Sequence, residues 1–230
     1  MTFKKIKFIS KDDTLEGVKP AKSFIPKWYK DVESHNIKNL KFTNNDPVKN
    51  VKSCVPFLDS ITSGYMIELW CDVHFESLPD GSHYIRWGDA NPAPIGIRNT
   101  ELNKIPTPIG CSKYHYVWQN PYSIETPNGY SILVTHPNNR IDLPFFTLSG
   151  IIDSDSVMPP GVIPFFIKEG FSGVLEAGTP IAQVIPFKRE NWKIEKDNSL
   201  IEKSDKVIKN SNRKFFGYYK NNQWKKKTYE

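Results

Sequence analysis

One stretch constrains the fold of this chain more than any other: residues 64–76, GYMIELWCDVHFE. Tyr65, Ile67, Leu69, Cys71, Val73 and Phe75 alternate with residues of the opposite face, and a period of two is the mark of a strand with one buried side. The following LPDGSHYIRW supplies an Asp-Gly turn and a second strand. Residues 64–88 therefore read as a β-hairpin whose core positions include Leu69, Cys71, Val73, Ile85 and Trp87.

The same texture continues along the chain. Residues 114–118, 130–136, 145–152, 162–167 and 180–187 are further apolar segments bounded by turn residues, with no helical periodicity between them. That spacing predicts an all-β, mainly antiparallel fold: a sandwich, a jelly-roll or a β-clip-like arrangement rather than a parallel α/β sheet. Pro144, Pro164 and Pro186 are expected at strand edges, bulges or strand starts, since proline has no N–H for a ladder.

Two segments depart from the β pattern. SFIPKWYKDV, 23–32, reads as a short helical turn after Pro26 with Trp28 and Tyr29 packing down. NSLIEKSDKVIKN, 198–210, sets Leu200, Ile201, Ser204, Val207 and Ile208 on one helical face, an amphipathic helix capped near Asn198 or Ser199. The expected organisation is a single β-rich domain over 1–190 and a basic helical appendage over 191–230 docked on it.

Charge is distributed unevenly. From Lys188 to Glu230 there are 13 basic and 6 acidic residues, so the tail carries +7 and the remainder −1 of the net +6. Lysine outnumbers arginine 26 to 5, and lysine is the poorer residue for bidentate reading of phosphates or base edges, so a nucleic-acid partner is not expected. No apolar run approaches the ~20 residues of a membrane span, and the N-terminal MTFKKIKFISKDDTL has no apolar leader. A soluble, cytoplasmic protein is the expectation. Cys54, Cys71 and Cys111 are odd in number and widely spaced, which predicts reduced thiols.

Chemistry is sparse. His35, His74, His83, His115 and His136 fall in no spacing that presents two ligands from one face, so no metal is expected, and no motif calls for a cofactor. The densest polar strip is THPNNRIDLPFF, which places His136, Asn138, Asn139, Arg140 and Asp142 in one inter-strand loop. These five are ligand-binding candidates, and equally a turn, because Asn-Asn after proline is turn chemistry. Asp153 and Asp155 in GIIDSD admit the same two readings, a catalytic or binding pair or a backbone cap.

SGIIDSD followed by GVIPFFIKEGFSGVLEAGTPIAQVIPF resembles the corresponding segment of the trimeric dUTPases and related dCTP deaminases. The resemblance covers about 40 of 230 residues. It implies a water-orienting acid at Asp153 and structural roles for Gly178, Ile181, Ala182 and Gln183. The aromatic and arginine that should follow Asp155 are replaced by SVMPP, and neither the phosphate loop nor the glycine-rich closing motif is present. More broadly, PKWYK, VKSCVPFLDSITSGYMIELWCDV, WQNPYSIETPNGYSILVTHPNNRIDLPFFTLSGIIDSD and GTPIAQVIPFKRENW are similar to an uncharacterised protein family of marine tailed phages, cyanophage-like viruses included, with distant bacterial relatives. That resemblance implies a viral or marine microbial source, and the host cytoplasm as the location if the gene is phage-encoded.

Two functions are therefore expected in order. The first is a non-catalytic β-rich binding or assembly protein with an unassigned ligand or protein partner, for which homo-oligomerisation stays open. The second is a dUTPase-like nucleotide hydrolase using Asp153.

Overall fold

The computed structural model describes residues 4–13, 15, 17–33, 35–36, 48–98, 104–213 and 217–230. In chain order the strands are β1 (Lys7–Ile9), β2 (Lys19–Pro20), β3 (His35–Asn36), β4 (Val48–Lys49), β5 (Tyr65–Glu68), β6 (Val73–Ser77), β7 (His83–Trp87) and β8 (Ile95–Ile97). They continue as β9 (Cys111–Gln119), β10 (Ser123–Glu125), β11 (Tyr130–Thr135), β12 (Phe145–Thr147), β13 (Gly150–Asp153), β14 (Val162–Lys168), β15 (Gly173–Leu175) and β16 (Pro180–Lys188). Helices are few: α1 (Lys27–Asp31), α2 (Val55–Thr62), α3 (Ile201–Arg213) and α4 (Tyr218–Asn222). The fold is β-rich, and among the described residues every strand pairing is antiparallel.

Three sheets carry most of the chain, ordered β13-β11-β16-β5-β2, β12-β14-β9-β8 and β15-β6-β7. One apolar cluster draws on all three, with Ile132, Val134, Ile181 and Val184 from the first, Trp118, Phe145, Phe165 and Ile167 from the second, and Val73, Phe75 and Leu175 from the third. At its centre Trp118 stacks on Phe165 at 3.6 Å and 7°, with Phe145 edge-on at 5.1 Å. The indole N–H donates to Thr147 Oγ1 at 3.1 Å, and that hydroxyl donates to the Ile181 carbonyl of β16 at 2.7 Å. A polar relay thus crosses the apolar interior and leaves neither buried donor orphaned.

The strand expected over 64–76 is two strands in different sheets. β5 lies between β16 and β2, whereas β6 lies between β15 and β7. The chain turns the corner at Leu69, whose N–H donates to Thr179 O at 2.9 Å and whose carbonyl accepts from Gly178 N at 2.7 Å. Leu69, Val73 and Phe75 keep facing one core through the turn, so the alternation persists and gives no sign of the bend. Ile85, Trp87 and Cys71 pack against that core while staying partly exposed. Residues 145–152 divide in the same way, β12 joining the four-stranded sheet and β13 the edge of the five-stranded one.

Pro164 corrects another expectation, because it sits in β14, between β12 and β9. The ladder with β12 ends at Thr147↔Phe165, and the Pro164 carbonyl accepts from Leu148 N at 2.8 Å just beyond it. The missing N–H falls where β12 has already ended, so it costs no ladder bond. Helix α2 escapes the sequence reading altogether. It carries Pro56 in its first turn and buries Ile61.

The tail departs from expectation in how it is held. Helix α3 forms with Asp197, rather than Asn198 or Ser199, capping the turn before it: Asp197 Oδ1 accepts from Ser199 N at 2.8 Å. Its apolar face is open, with Leu200, Ile201 and Ile208 at 51%, 55% and 53% exposure. Contact with the β body comes instead from the last residues. Trp224 Nε1 donates to Asp59 Oδ2 at 2.8 Å, Lys227 pairs with the same carboxylate at 2.6 Å, and Tyr229 meets Tyr65 edge-on at 5.9 Å.

Candidate ligand-binding groove

The seven residues singled out from sequence fall at two separate places. In the register of β11, Asp153 lies opposite Ser131, while His136 follows the strand's other end. Five residues of extended chain at ~3.3 Å each separate the two groups by roughly 16 Å.

The loop from His136 to Asp142 is internally satisfied. The His136 ring bridges the Arg140 carbonyl (Nε2, 3.1 Å) and the Thr147 N–H (Nδ1, 3.3 Å), which assigns a neutral ring protonated at Nε2. Burial holds its pKa below the ordinary histidine value. Asn138 Nδ2 donates to the Ser60 carbonyl at 3.1 Å and Asn139 Nδ2 to Ser60 Oγ at 2.7 Å. Asn139 adopts φ 60, a conformation asparagine tolerates in turns. Arg140 grips Asp142 through Nε at 3.0 Å and Nη2 at 2.8 Å, and Trp28 Nε1 donates to the same carboxylate at 3.2 Å. Burial alone would raise the Asp142 pKa, but the hydrogen bonds and charge of Arg140 hold it below the usual carboxylate value.

Asp153 and Asp155 meet Arg189 at the end of β16. Asp153 accepts from Ser131 Oγ at 2.6 Å and stands 3.4 Å from Arg189 Nη1, with its side chain 72% exposed. Asp155 accepts from Gly129 N at 3.0 Å and pairs with Arg189 Nη2. The hydrogen bond from Arg189 is the main reason its pKa falls to about 2.

The concave surface lies elsewhere. A cleft of about 690 Å³ is lined by the segment after β1, the β5–β6 corner and the turns at 89–91 and 177–178; Asp12, Lys19, Glu68, Trp70, Asp89 and Tyr122 are among its walls. A second cleft of about 840 Å³ runs over Ile9, Gln119, Pro121, Pro160 and Val162. Both include Asp12 and Asn91, so they form one groove with two compartments. None of the seven sequence-derived candidates lines either compartment.

The strand ends that build the groove are tied to one another. Lys19 pairs with Glu68 at 3.1 Å, joining β2 to the end of β5. Trp70 Nε1 donates to the Pro92 carbonyl at 3.0 Å, fixing the corner to the 89–92 turn. Asn120 closes a local ring with Tyr122, accepting from its N–H at 3.1 Å and donating to its carbonyl at 2.8 Å. Asn120 N donates to Gly161 O at 3.0 Å, so the floor of the second compartment is braced as well.

Burial raises the pKa of Tyr122, with the Glu68 charge adding to it, so the phenol stays protonated. Burial and the neighbouring Asp72 raise the Cys71 thiol, which keeps it from being a thiolate nucleophile. Among the described residues, no histidine lines the groove. Among the described residues, no three His, Cys, Asp or Glu side chains are grouped to hold a metal ion. Sequence reasoning passed over Trp70, Asp89, Asn91 and Gln119. The available signal was the pair of Asn-Pro turns, Asn91-Pro92 and Asn120-Pro121, each following a tryptophan-bearing strand.

No protein-family profile and no curated protein matches this chain.

Proposed function

We propose that this protein is a non-catalytic binding protein whose two larger sheets face each other as a jelly-roll-like sandwich and whose groove receives a partner molecule. The observation that carries the reading is the groove itself: two compartments of about 690 and 840 Å³, meeting at Asp12 and Asn91 and braced by strand-end hydrogen bonds. Volumes of this size suit a small molecule or a short segment of a polymer. Polar walls without an activated nucleophile favour holding a ligand over transforming it. The hydrolase reading through Asp153 gains no support from geometry, because that carboxylate is engaged by Ser131 and Arg189 outside the groove. The resemblance to tailed-phage proteins would put such binding in a host cytoplasm. No helix among the described residues is long and apolar enough to cross a membrane.

The test is an amide- and indole-resolved NMR titration with a panel of amines, neutral saccharides, short peptides and nucleotides. Shifts gathered at Trp70, Asn91 and Gln119 are the expected result. Shifts gathered at Asp153 and Asp155, or pyrophosphate release from a nucleotide triphosphate, would overturn the reading.

A further inference from the structure

Accepting that the groove is the binding site, we infer that it takes an extended peptide, with a lysine or arginine side chain in the first compartment and the adjoining backbone over the second.

Charge narrows the ligand first. Among the described residues the groove carries Asp12, Asp13, Glu68 and Asp89 against Lys11 and Lys19, a formal balance of −2. Its sign is that of the chain before the tail, which carries −1, and opposite to that of the +7 tail. A phosphate or a nucleic-acid backbone would meet like charge on entry, while a cation is steered inward.

The shape of the first compartment then suits a cation on an apolar stem. Trp70 has its only polar atom committed to Pro92 O, so the indole offers the cleft carbon surface and a π system. Leu15 and Val18 extend that apolar wall, and the Asp89 carboxylate lies on the same cleft, where Glu68 is already paired with Lys19. An aliphatic stem against aromatic and aliphatic carbon, ending at a carboxylate, is the arrangement a lysine or arginine side chain fills.

The second compartment explains why a free amine is too small. Asn91 and Gln119 have no side-chain hydrogen-bond partner among the described residues, in contrast to Asn120, whose amide is used up on Tyr122. Each free amide offers a donor and an acceptor side by side, the complement of a peptide unit. Pro92, Pro121 and Pro160 with Ile9 and Val162 supply the apolar surface between them. A neutral saccharide could use the amides but would gain nothing from the charge.

The experiment uses the full-length protein and four fluorescent hexapeptides identical except for a central lysine, arginine, norleucine or glutamate, with n-butylamine as a fifth probe. Lysine and arginine peptides should bind at least ~10-fold tighter than the norleucine peptide, weaken with added salt, and shift Trp70, Asn91 and Gln119. Asp89→Asn, at an exposed position, should erase most of that preference, bringing the lysine and norleucine peptides to similar affinity. Gln119→Ala, which borders only the second compartment, should weaken every peptide and leave n-butylamine unaffected. Equal or tighter binding of the norleucine or glutamate peptide in the groove would overturn the cationic class while the groove stands. Binding of n-butylamine as tight as that of the lysine peptide would overturn the peptide class. No groove shift with any of the five probes overturns this inference, and the wider NMR panel above then decides whether the groove reading falls with it.

Discussion

Gln183 holds Asn138. From a fully buried position in β16, its Oε1 accepts the Asn138 backbone N–H at 2.8 Å, while its Nε2 donates to the carbonyls of Ser60 at 2.9 Å and Ser63 at 2.6 Å. One side chain thus ties the sheet, the loop after β11 and the end of α2 together.

Replacing it should be costly out of proportion to its size. Gln183→Leu keeps the volume but leaves the Asn138 N–H and the Ser63 carbonyl without partners, each worth ~1–3 kcal/mol when buried, while the Ser60 carbonyl keeps only its bond from Asn138 Nδ2. A loss of about 3 kcal/mol or more is expected, read as a lower urea midpoint at unchanged slope. Asn139→Gly, which removes a single bond to Ser60 Oγ at a φ of 60 that glycine adopts without strain, should cost about 1 kcal/mol. Equal costs for the two would deny Gln183 its bridging role.

Stability should also fall as the pH drops below that of an ordinary histidine. Burial lowers the pKa of both His136 and His115, and in the folded chain both rings stay neutral where the unfolded chain binds protons. The unfolded state then holds more protons, so the stability present above about pH 6.5 is lost progressively below it, with a slope of at most ~1.4 kcal/mol per pH unit per histidine. His136→Gln should flatten the urea midpoint between pH 7 and pH 5 by one histidine's share. An unaltered profile would place the proton uptake elsewhere.

What was legible in the sequence follows a physical line. Strand positions were, because inward residues such as Leu69, Val73, Trp118 and Val184 must alternate to meet one core. Corners were not. A strand that changes sheets at Leu69 or between Thr147 and Gly150 keeps the same inward set, and only hydrogen-bond partners distinguish it from a continuous strand. The loop 136–142 was correctly seen as dense in polar groups, yet density does not say whether those groups face a ligand or one another. Here the Arg140 guanidinium is paired with Asp142, and Asn138 and Asn139 donate their side-chain amides to Ser60. The groove was invisible because its described walls come from six separated segments, joined only when β5 lies between β2 and β16 in one sheet and β9 beside β14 in another.

The C-terminal residues should stabilise the body more than the helix before them does. Removing 224–230 deletes the Trp224 and Lys227 contacts to Asp59 and the Tyr229 contact to Tyr65. A melting temperature several degrees lower is expected, since ~1 kcal/mol shifts a domain of this size by ~2–4 °C. Ile201→Lys with Ile208→Lys touches only exposed positions and should leave the melting temperature unchanged. A reversed ranking would mean that α3 docks on the body in solution.

Asp153 and Asp155 differ in what their substitution should reveal. Asp155 is held at about 2 by Arg189, so its contribution to stability is present above the unfolded carboxylate value near 4 and is lost as pH falls from there towards 2. Asp155→Asn should remove that acid limb from the stability profile. Asp153 is 72% exposed and keeps one short bond to Ser131, so Asp153→Asn should cost at most ~1 kcal/mol, the scale of one solvent-accessible hydrogen bond. If Asp153 instead orients a water for hydrolysis, the unmutated protein with magnesium will release pyrophosphate from a pyrimidine nucleotide triphosphate. The same substitution will then cut that rate by ~10² or more at unchanged stability. The expected outcome is no turnover by either protein, because Arg189, the arginine that meets Asp153, is already paired with Asp155 rather than held open to receive a triphosphate.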